Sequence, residues 1–134
     1  LEEIEDMGSR HLESCISYLA VILEHLYKWD NFKSIAGQMA GEEKTGYDWI
    51  NSIEDSKDEI LLLFDKHPSL KVKLPNEIET AWKEAIVRIK KWLRRKMQLD
   101  PDNFDIPKKC PYTYEEAMNR DVRKEIDISY WQDL

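Results

Sequence analysis

LEEIEDMGSRHLESCISYLAVILEHLYKW, residues 1–29, decides the fold of this chain. Its apolar and amphipathic residues recur at steps of three and four: Ile4, Met7, His11, Cys15, Tyr18, Ile22, His25 and Trp29. A second row, formed by Leu12, Leu19, Leu23 and Leu26, widens this stripe into two adjoining faces. This periodicity predicts a helix of roughly 43 Å, and two apolar faces indicate a central helix with several neighbours.

Three further helices follow from the same pattern. Trp49, Ile50, Ile53, Ile60, Leu61 and Phe64 form the apolar stripe of the second, and Ile78, Trp82, Ala85, Ile89, Trp92 and Leu93 that of the third. The third helix begins at Pro75, a residue favoured at the first helical position, and the fourth follows the capping box of Thr113 and Glu116. The predicted segments are a helix at 1–29, a loop at 30–46, helices at 47–66, 75–97 and 113–119, and a tail at 120–134.

The fold class is therefore all-α: a bundle of three long helices with a short C-terminal helix, in one domain spanning 1–134. The chain has 134 residues, the size of one ordinary domain. Only 4 Gly and 5 Pro interrupt it, which favours long helices over many short strands.

Charge and cysteine content limit the classes of partner. The net charge of −7 repels phosphate polymers and disfavours nucleic acid as the main partner. The longest uncharged apolar run, residues 15–23, is about half of the ~20 residues that cross a bilayer, so no membrane association is expected. Cys15 and Cys110 follow no metal-binding spacing and indicate a reducing, cytoplasmic setting, with a long-range disulfide as the open alternative.

The histidines of the first helix do not predict a metal site. Metal sites in helical bundles use Glu-x-x-His pairs, whereas Gly8 and Ile22 stand three residues before His11 and His25. His11 and Cys15 share a face, but two ligands do not complete a site. We expect no metal and no other cofactor.

The acidic start of the first helix has two interpretations. Glu2 and Asp6 are four residues apart, and Glu5 lies between them. Close carboxylates raise one another's pKa, which is one route to a general acid. A solvated face that interacts with the helix dipole is the favoured interpretation.

The end of the same helix is aromatic. His25 and Trp29 are one turn apart, and Tyr27 lies between them. Such a cluster forms a binding rim if it is exposed and a packed core if it is not. We predict that Tyr27 or Trp29 is a partly exposed anchor or lies in an intersubunit contact.

The third helix is strongly basic. Residues 83–97, KEAIVRIKKWLRRKM, contain seven basic residues and one acid, Glu84. Interleaved tryptophans are compatible with a phosphate-binding helix. Trp82 and Trp92 fall on the apolar stripe, however, so the prediction is a basic solvent face that meets an acidic surface within the chain or across a dimer.

The order of these segments resembles a bacterial family known as domain of unknown function 29. The resemblance rests on LEEIEDMGSR and LEHLYKW in one helix, on DWINSIEDSKDEILLLFDKHPSLK, on the helix that starts at proline, and on CPYTYEEAM, and it covers most of residues 1–118. It implies an all-helical protein with no agreed activity, cofactor or catalytic residue. It also implies a further helix ahead of Leu1, so we expect the present sequence to lack, or not to show, the first helix of the family.

No glycine-rich phosphate loop, nucleophile elbow or Cys–His–Asp order occurs in the chain, so we predict no catalytic residue. The predicted function is a protein-protein interaction or self-association module, with an unknown protein or a second copy as partner. The alternative is a small metal-dependent hydrolase or nuclease that uses the acidic start with His25. The candidate binding residues are His25, Tyr27, Trp29, Glu2, Glu5 and Asp6.

Overall fold

The computed structural model describes residues 2–33 and 42–125, with side chains over 10–33 and 47–125. The predicted all-α class is confirmed, and this part of the chain contains no strand. The helices are α1 (Glu2–Asn31), α2 (Glu42–Lys66), α3 (Leu70–Lys73), α4 (Ile78–Arg95), α5 (Tyr114–Asn119) and α6 (Val122–Glu125). Two 3₁₀ turns, Leu74–Glu77 and Pro101–Asn103, lie between them.

Helix α1 is the central element, and α2 and α4 both pack along it. Leu19, Ile22 and Leu26 of its apolar stripe are fully inaccessible to solvent. Helix α2 runs antiparallel to α1: Trp49, near its start, lies by Lys28, and His67, just after its end, stacks on His11. The long apolar rod therefore forms the axis of one continuous core.

The predicted loop at 30–46 is too long. Helix α1 continues to Asn31, whose side-chain amide donates to the Tyr27 carbonyl, and α2 already begins at Glu42. Two acids in the first turn of α2, Glu42 and Glu43, favour this early start through the helix dipole. The interaction of these acids with the helix dipole and the backbone hydrogen bonds of the added turn offset the cost of Gly46 inside a helix, which is roughly 1 kcal/mol. Residues 34–41 lie outside the described part.

The predicted start of the third helix at Pro75 is wrong, because Pro75 lies in the 3₁₀ turn and α4 begins at Ile78. Helix α3, which was not predicted, lies in the connection between α2 and α4. The buried side chains of Leu70 and Leu74 hold this connection against the core. At the other end, Gln98 adopts a left-handed conformation with φ 54°, and the Leu99 amide donates to the Leu93 carbonyl. This arrangement closes α4 in the manner that glycine usually provides.

The C-terminal elements follow the predicted capping signal. The Thr113 side chain accepts from the Glu116 amide and the Glu116 side chain accepts from the Thr113 amide, which confirms the capping box. The tail predicted for 120–134 contains a short helix, α6 (Val122–Glu125), in which the Val122 side chain is buried. The rest of the predicted tail, residues 126–134, lies outside the described residues. Leu61, assigned to the buried stripe of α2, is instead exposed.

Candidate functional site

The predicted aromatic anchors of α1 are buried within the chain. Tyr27 and Trp29 retain only 8% and 4% of their surface, so the predicted exposure is wrong. The Tyr27 ring lies edge-on to Phe32 and Trp82, with centroids 5.8 and 5.4 Å away. The Lys33 ammonium lies 4.2 Å from the centre of the Trp29 ring. These aromatic residues close the core at the end of α1.

His25 remains at the margin of the core, with 14% of its side chain exposed. Its Nδ1 lies 2.7 Å from the Val21 carbonyl oxygen, so the Nδ1 proton is donated within α1 and Nε2 is left as the acceptor. Burial lowers the imidazole pKa, partly opposed by the neighbouring Glu24 carboxylate. The ring is therefore neutral at pH 7.

The acidic candidates Glu2, Glu5 and Asp6 lie on α1, but their side chains are outside the described part of the structure. His11 stacks on His67 with ring centroids 3.9 Å apart, which links α1 to the residues after α2. Among residues 10–33 and 47–125, no group of three or more His, Cys, Asp or Glu side chains is arranged to hold a metal ion.

A buried ion pair lies where α1, α2 and α4 meet. The Lys28 ammonium lies 2.6 Å from the Glu24 carboxylate and is enclosed by the Trp92 and Trp49 rings, 4.6 and 5.8 Å from their centres. Burial lowers the Lys28 pKa, and the Glu24 contact opposes that change. The spacing of four residues indicates the pair in the sequence, whereas the packing of Trp49 and Trp92 beside the Lys28 ammonium is seen only in the structure.

The C-terminal segment is fastened to the end of α1 by a group of polar residues, the C-terminal clasp: Asp30, Tyr112, Arg120 and Glu125. Arg120 donates two hydrogen bonds to Asp30 and two to Glu125, all between 2.7 and 2.8 Å. The Tyr112 hydroxyl donates to Asp30 over 2.6 Å. These side chains are engaged with one another, so the clasp is a structural feature.

A cleft of about 200 Å³ separates α2 from residues 119–123. Lys57 donates to the Arg120 carbonyl over 2.8 Å, and Arg123 donates two hydrogen bonds of 2.9 Å to Glu54. Hydrogen bonds from Arg123 lower the pKa of Glu54, so this pair stays ionised at neutral pH. Glu54 and Arg123 thus pair across the cleft, and Lys57 is bound to a backbone carbonyl on its other side.

The outer side of α4 carries a group of basic residues around an exposed valine. We call this surface the basic face, and it consists of Lys83, Val87, Lys90, Lys91 and Arg94. Val87 keeps 63% of its surface, and Lys83, Lys91 and Arg94 are also exposed. Glu84 accepts a hydrogen bond from the Ser17 hydroxyl over 3.2 Å and is thereby turned toward α1. Trp82 is buried and Trp92 partly buried, as their place on the stripe predicted.

The outer side of α2 carries the opposite charge. This acidic face consists of Leu62, which is 53% exposed, and four exposed acids: Asp55, Asp58, Glu59 and Asp65. Since α2 and α4 each pack their inner side on α1, both outer faces are directed away from the core. The molecule thus presents two aliphatic side chains, Leu62 among mainly acidic residues and Val87 among mainly basic ones, with Lys66 and Glu84 as the opposite charges one turn away.

Comparison with known proteins places the chain in a family. The family model described as "Domain of unknown function DUF29" matches residues 1–122. The chain belongs to the DUF29 family. Neither the curated proteins nor the solved structures contain a significant match.

The DUF29 match contains both outer faces and the Glu24–Lys28 pair, and it ends at Val122, inside α6. The family description names no activity, so it assigns no catalytic or binding residue to this chain. In the described part of this DUF29 protein, no helix is long and apolar enough to span a membrane. Its function has to be argued from the surfaces themselves.

Proposed function

We propose that this DUF29 protein is a protein-binding module of the bacterial cytoplasm that holds its partner through the outer faces of its helices. The observation that carries the proposal is the exposure of Val87 at the centre of the basic face of α4. An aliphatic centre with a charged rim has the composition of a protein-protein interface.

Electrostatics support a protein partner with an acidic surface. The whole chain carries a net charge of −7, yet four basic residues, Lys83, Lys90, Lys91 and Arg94, are grouped on one side of α4. Such separation of charge directs the approach of a complementary partner and disfavours incorrect ones. The aliphatic side chain then contributes by losing its contact with water.

The cysteines support the cytoplasmic part of the proposal. Cys15 is buried, Cys110 is half-buried, and neither forms a disulfide. Two unpaired thiols fit a reducing compartment.

The alternative function, a metal-dependent hydrolase or nuclease acting through His25, has less support. The Nδ1 proton of His25 is already donated to Val21, and 14% of the side chain is exposed. The carboxylates that this alternative requires, Glu2, Glu5 and Asp6, are outside the described side chains. We therefore favour the binding module.

The proposal is tested by affinity capture with two matched variants. The basic-face variant carries Val87→Glu, Lys91→Glu and Arg94→Glu, whereas the control carries Lys108→Glu and Lys109→Glu, which reverse two exposed charges of the loop before α5. Each protein is immobilised and exposed to a native lysate, once without and once with nuclease treatment. Retained proteins are identified by mass spectrometry, and the leading one is purified for binding measurements.

We expect the wild type and the control to retain one specific protein, which is either a different protein or the endogenous copy of this chain. The basic-face variant should lose it, with purified binding weakened at least about tenfold because contact and charge are both removed. Equal retention by all three proteins would contradict the proposal. Retention that disappears after nuclease treatment would contradict it too, because nucleic acid would then be the bound species.

A further inference from the structure

We infer that the basic face of one molecule is occupied by the acidic face of a second copy. This inference rests on the proposed function and names its partner. It follows from the charge complementarity of two faces that one chain carries on two different helices.

The acidic face is arranged around Leu62. Asp55, Asp58, Glu59 and Asp65 stand at positions −7, −4, −3 and +3 from Leu62, the spacings that share one side of a helix. All four are exposed. The nearby acid Glu54 is held by Arg123 toward the C-terminal segment and is not part of this face.

The basic face repeats this arrangement with the opposite sign. Lys83, Lys90, Lys91 and Arg94 stand at −4, +3, +4 and +7 from Val87. Each face on its own is a row of like charges that repel one another. Contact between the two faces replaces that repulsion with attraction and removes two exposed aliphatic side chains, Leu62 and Val87, from water.

The order of the charges also selects the relative direction of the two helices. An antiparallel contact with Leu62 opposite Val87 aligns three oppositely charged pairs: Asp55–Arg94, Asp58–Lys91 and Glu59–Lys90. Its two like-charged pairs, Asp65–Glu84 and Lys66–Lys83, lie on the other side of Leu62 and are outnumbered by the three attractive pairs. A parallel contact instead alternates attraction and repulsion along its length, since Glu59 then meets Glu84 and Lys66 meets Lys91. The antiparallel arrangement is therefore favoured.

The resulting contact is heterologous, because each molecule contributes a different face to each of its neighbours. Such contacts continue into rings or open chains unless they are blocked. A molecule with one damaged face still offers the other, so two molecules damaged on different faces still pair through their intact faces. This property distinguishes the arrangement from a symmetric dimer.

Charge reversal tests the inference on the intact chain. The acidic-face variant carries Asp55→Lys and Asp58→Lys. A two-residue basic-face variant, which keeps Val87, carries Lys91→Glu and Arg94→Glu. A third protein carries all four substitutions. Sedimentation velocity over a concentration series up to the millimolar range measures association, and circular dichroism checks that each variant is folded.

We expect the wild type to associate with increasing concentration and to dissociate as salt is raised, because salt screens exposed charges. Each two-residue variant alone should associate at least about tenfold more weakly, since attraction becomes repulsion at two pairs. Their equimolar mixture should associate like the wild type, because the intact faces pair with each other and the two reversed faces are again opposite in sign. The four-residue variant should recover association, because both pairs are then reversed together.

Matched controls carry the same charge changes away from the faces: Asp102→Lys with Asp105→Lys, and Lys108→Glu with Lys109→Glu. These variants should associate like the wild type. If they weaken association as much as the face variants do, net charge is responsible and the inference fails.

Other results would contradict the inference, and they also show whether the proposed function fails with it. A wild type that stays monomeric throughout, yet captures a different protein through the basic face, contradicts self-association alone. A monomer that captures no protein contradicts both. A symmetric dimer that survives both face variants excludes this contact, as does a monomer that instead binds a labelled oligonucleotide.

Discussion

Arg120 and Asp30 are 90 positions apart in the sequence and are joined by two hydrogen bonds of 2.7 and 2.8 Å. The same guanidinium holds Glu125, and the Tyr112 hydroxyl also donates to Asp30. Burial alone would raise the pKa of Asp30, but these donors outweigh it and the pKa lies below its usual value. The end of the first helix and the C-terminal segment are thereby fastened together.

Arg120→Ala should lower the free energy of unfolding by about 1–3 kcal/mol, because it removes charge-assisted hydrogen bonds from partly buried carboxylates. Arg120→Lys should lie between this variant and the wild type, since an ammonium lacks the planar fork that pairs with both Asp30 oxygens. Urea denaturation measures the difference. The exposed Arg95→Ala is the control, and an equal loss there would contradict the importance of the clasp.

Lys28→Ala should destabilise the protein by about 3–5 kcal/mol, because it leaves the Glu24 carboxylate buried without its partner. The double variant Glu24→Leu with Lys28→Met should be within about 1 kcal/mol of the wild type or more stable, since both charges are replaced by apolar groups of similar size. Guanidinium denaturation compares the two. A double variant as unstable as Lys28→Ala would show that the ion pair itself is required.

Lowering the pH from about 7 to about 5 should reduce stability through His25. Its pKa in the folded state lies below the ordinary 6.5, so the unfolded chain takes up the proton first and stability falls as pH drops through this window. Glu24, Lys28 and Arg88 are the charged groups that act on the ring. His25→Gln should show a smaller loss of unfolding free energy over the same range, measured by urea midpoints. Identical pH dependence in both proteins would exclude this role.

The thiols of the folded protein should react slowly. Burial raises the pKa of both Cys15 and Cys110 from 9.0 to about 11, which lowers the thiolate fraction at pH ~8 by roughly 100-fold. Iodoacetamide labelling followed by mass spectrometry measures each site separately, and the urea-unfolded chain is the reference. Rapid labelling of Cys15 in the native protein would contradict its burial.

Much of the fold is predictable from local patterns. The spacing of Leu19, Ile22 and Leu26 indicates both the helix and its buried side, because helical periodicity and burial depend on neighbours three and four residues away. The capping box of Thr113 is local in the same sense. The early start of α2 at Glu42 and the late start of α4 at Ile78 were not predicted, since local patterns fix the ends of helices less well than their interiors.

The candidate site was less predictable. The basic side of the third helix was visible as a run of charges with inward tryptophans, whereas the aromatic end of α1 suggested exposed anchors and is buried. Tyr27 is covered by Trp82, which lies 55 positions further along the chain, and no local pattern indicates that contact.

The amino-acid order alone determines that this chain is helical, which sides of its helices are apolar and where its charges are grouped, because these properties repeat within one or two turns. Only the packing of the helices decides that Lys28 is enclosed by Trp49 and Trp92 and that Asp30 meets Arg120. Such contacts depend on the angles and distances between helices, which are set by the combined shape of many side chains and by no single stretch of sequence.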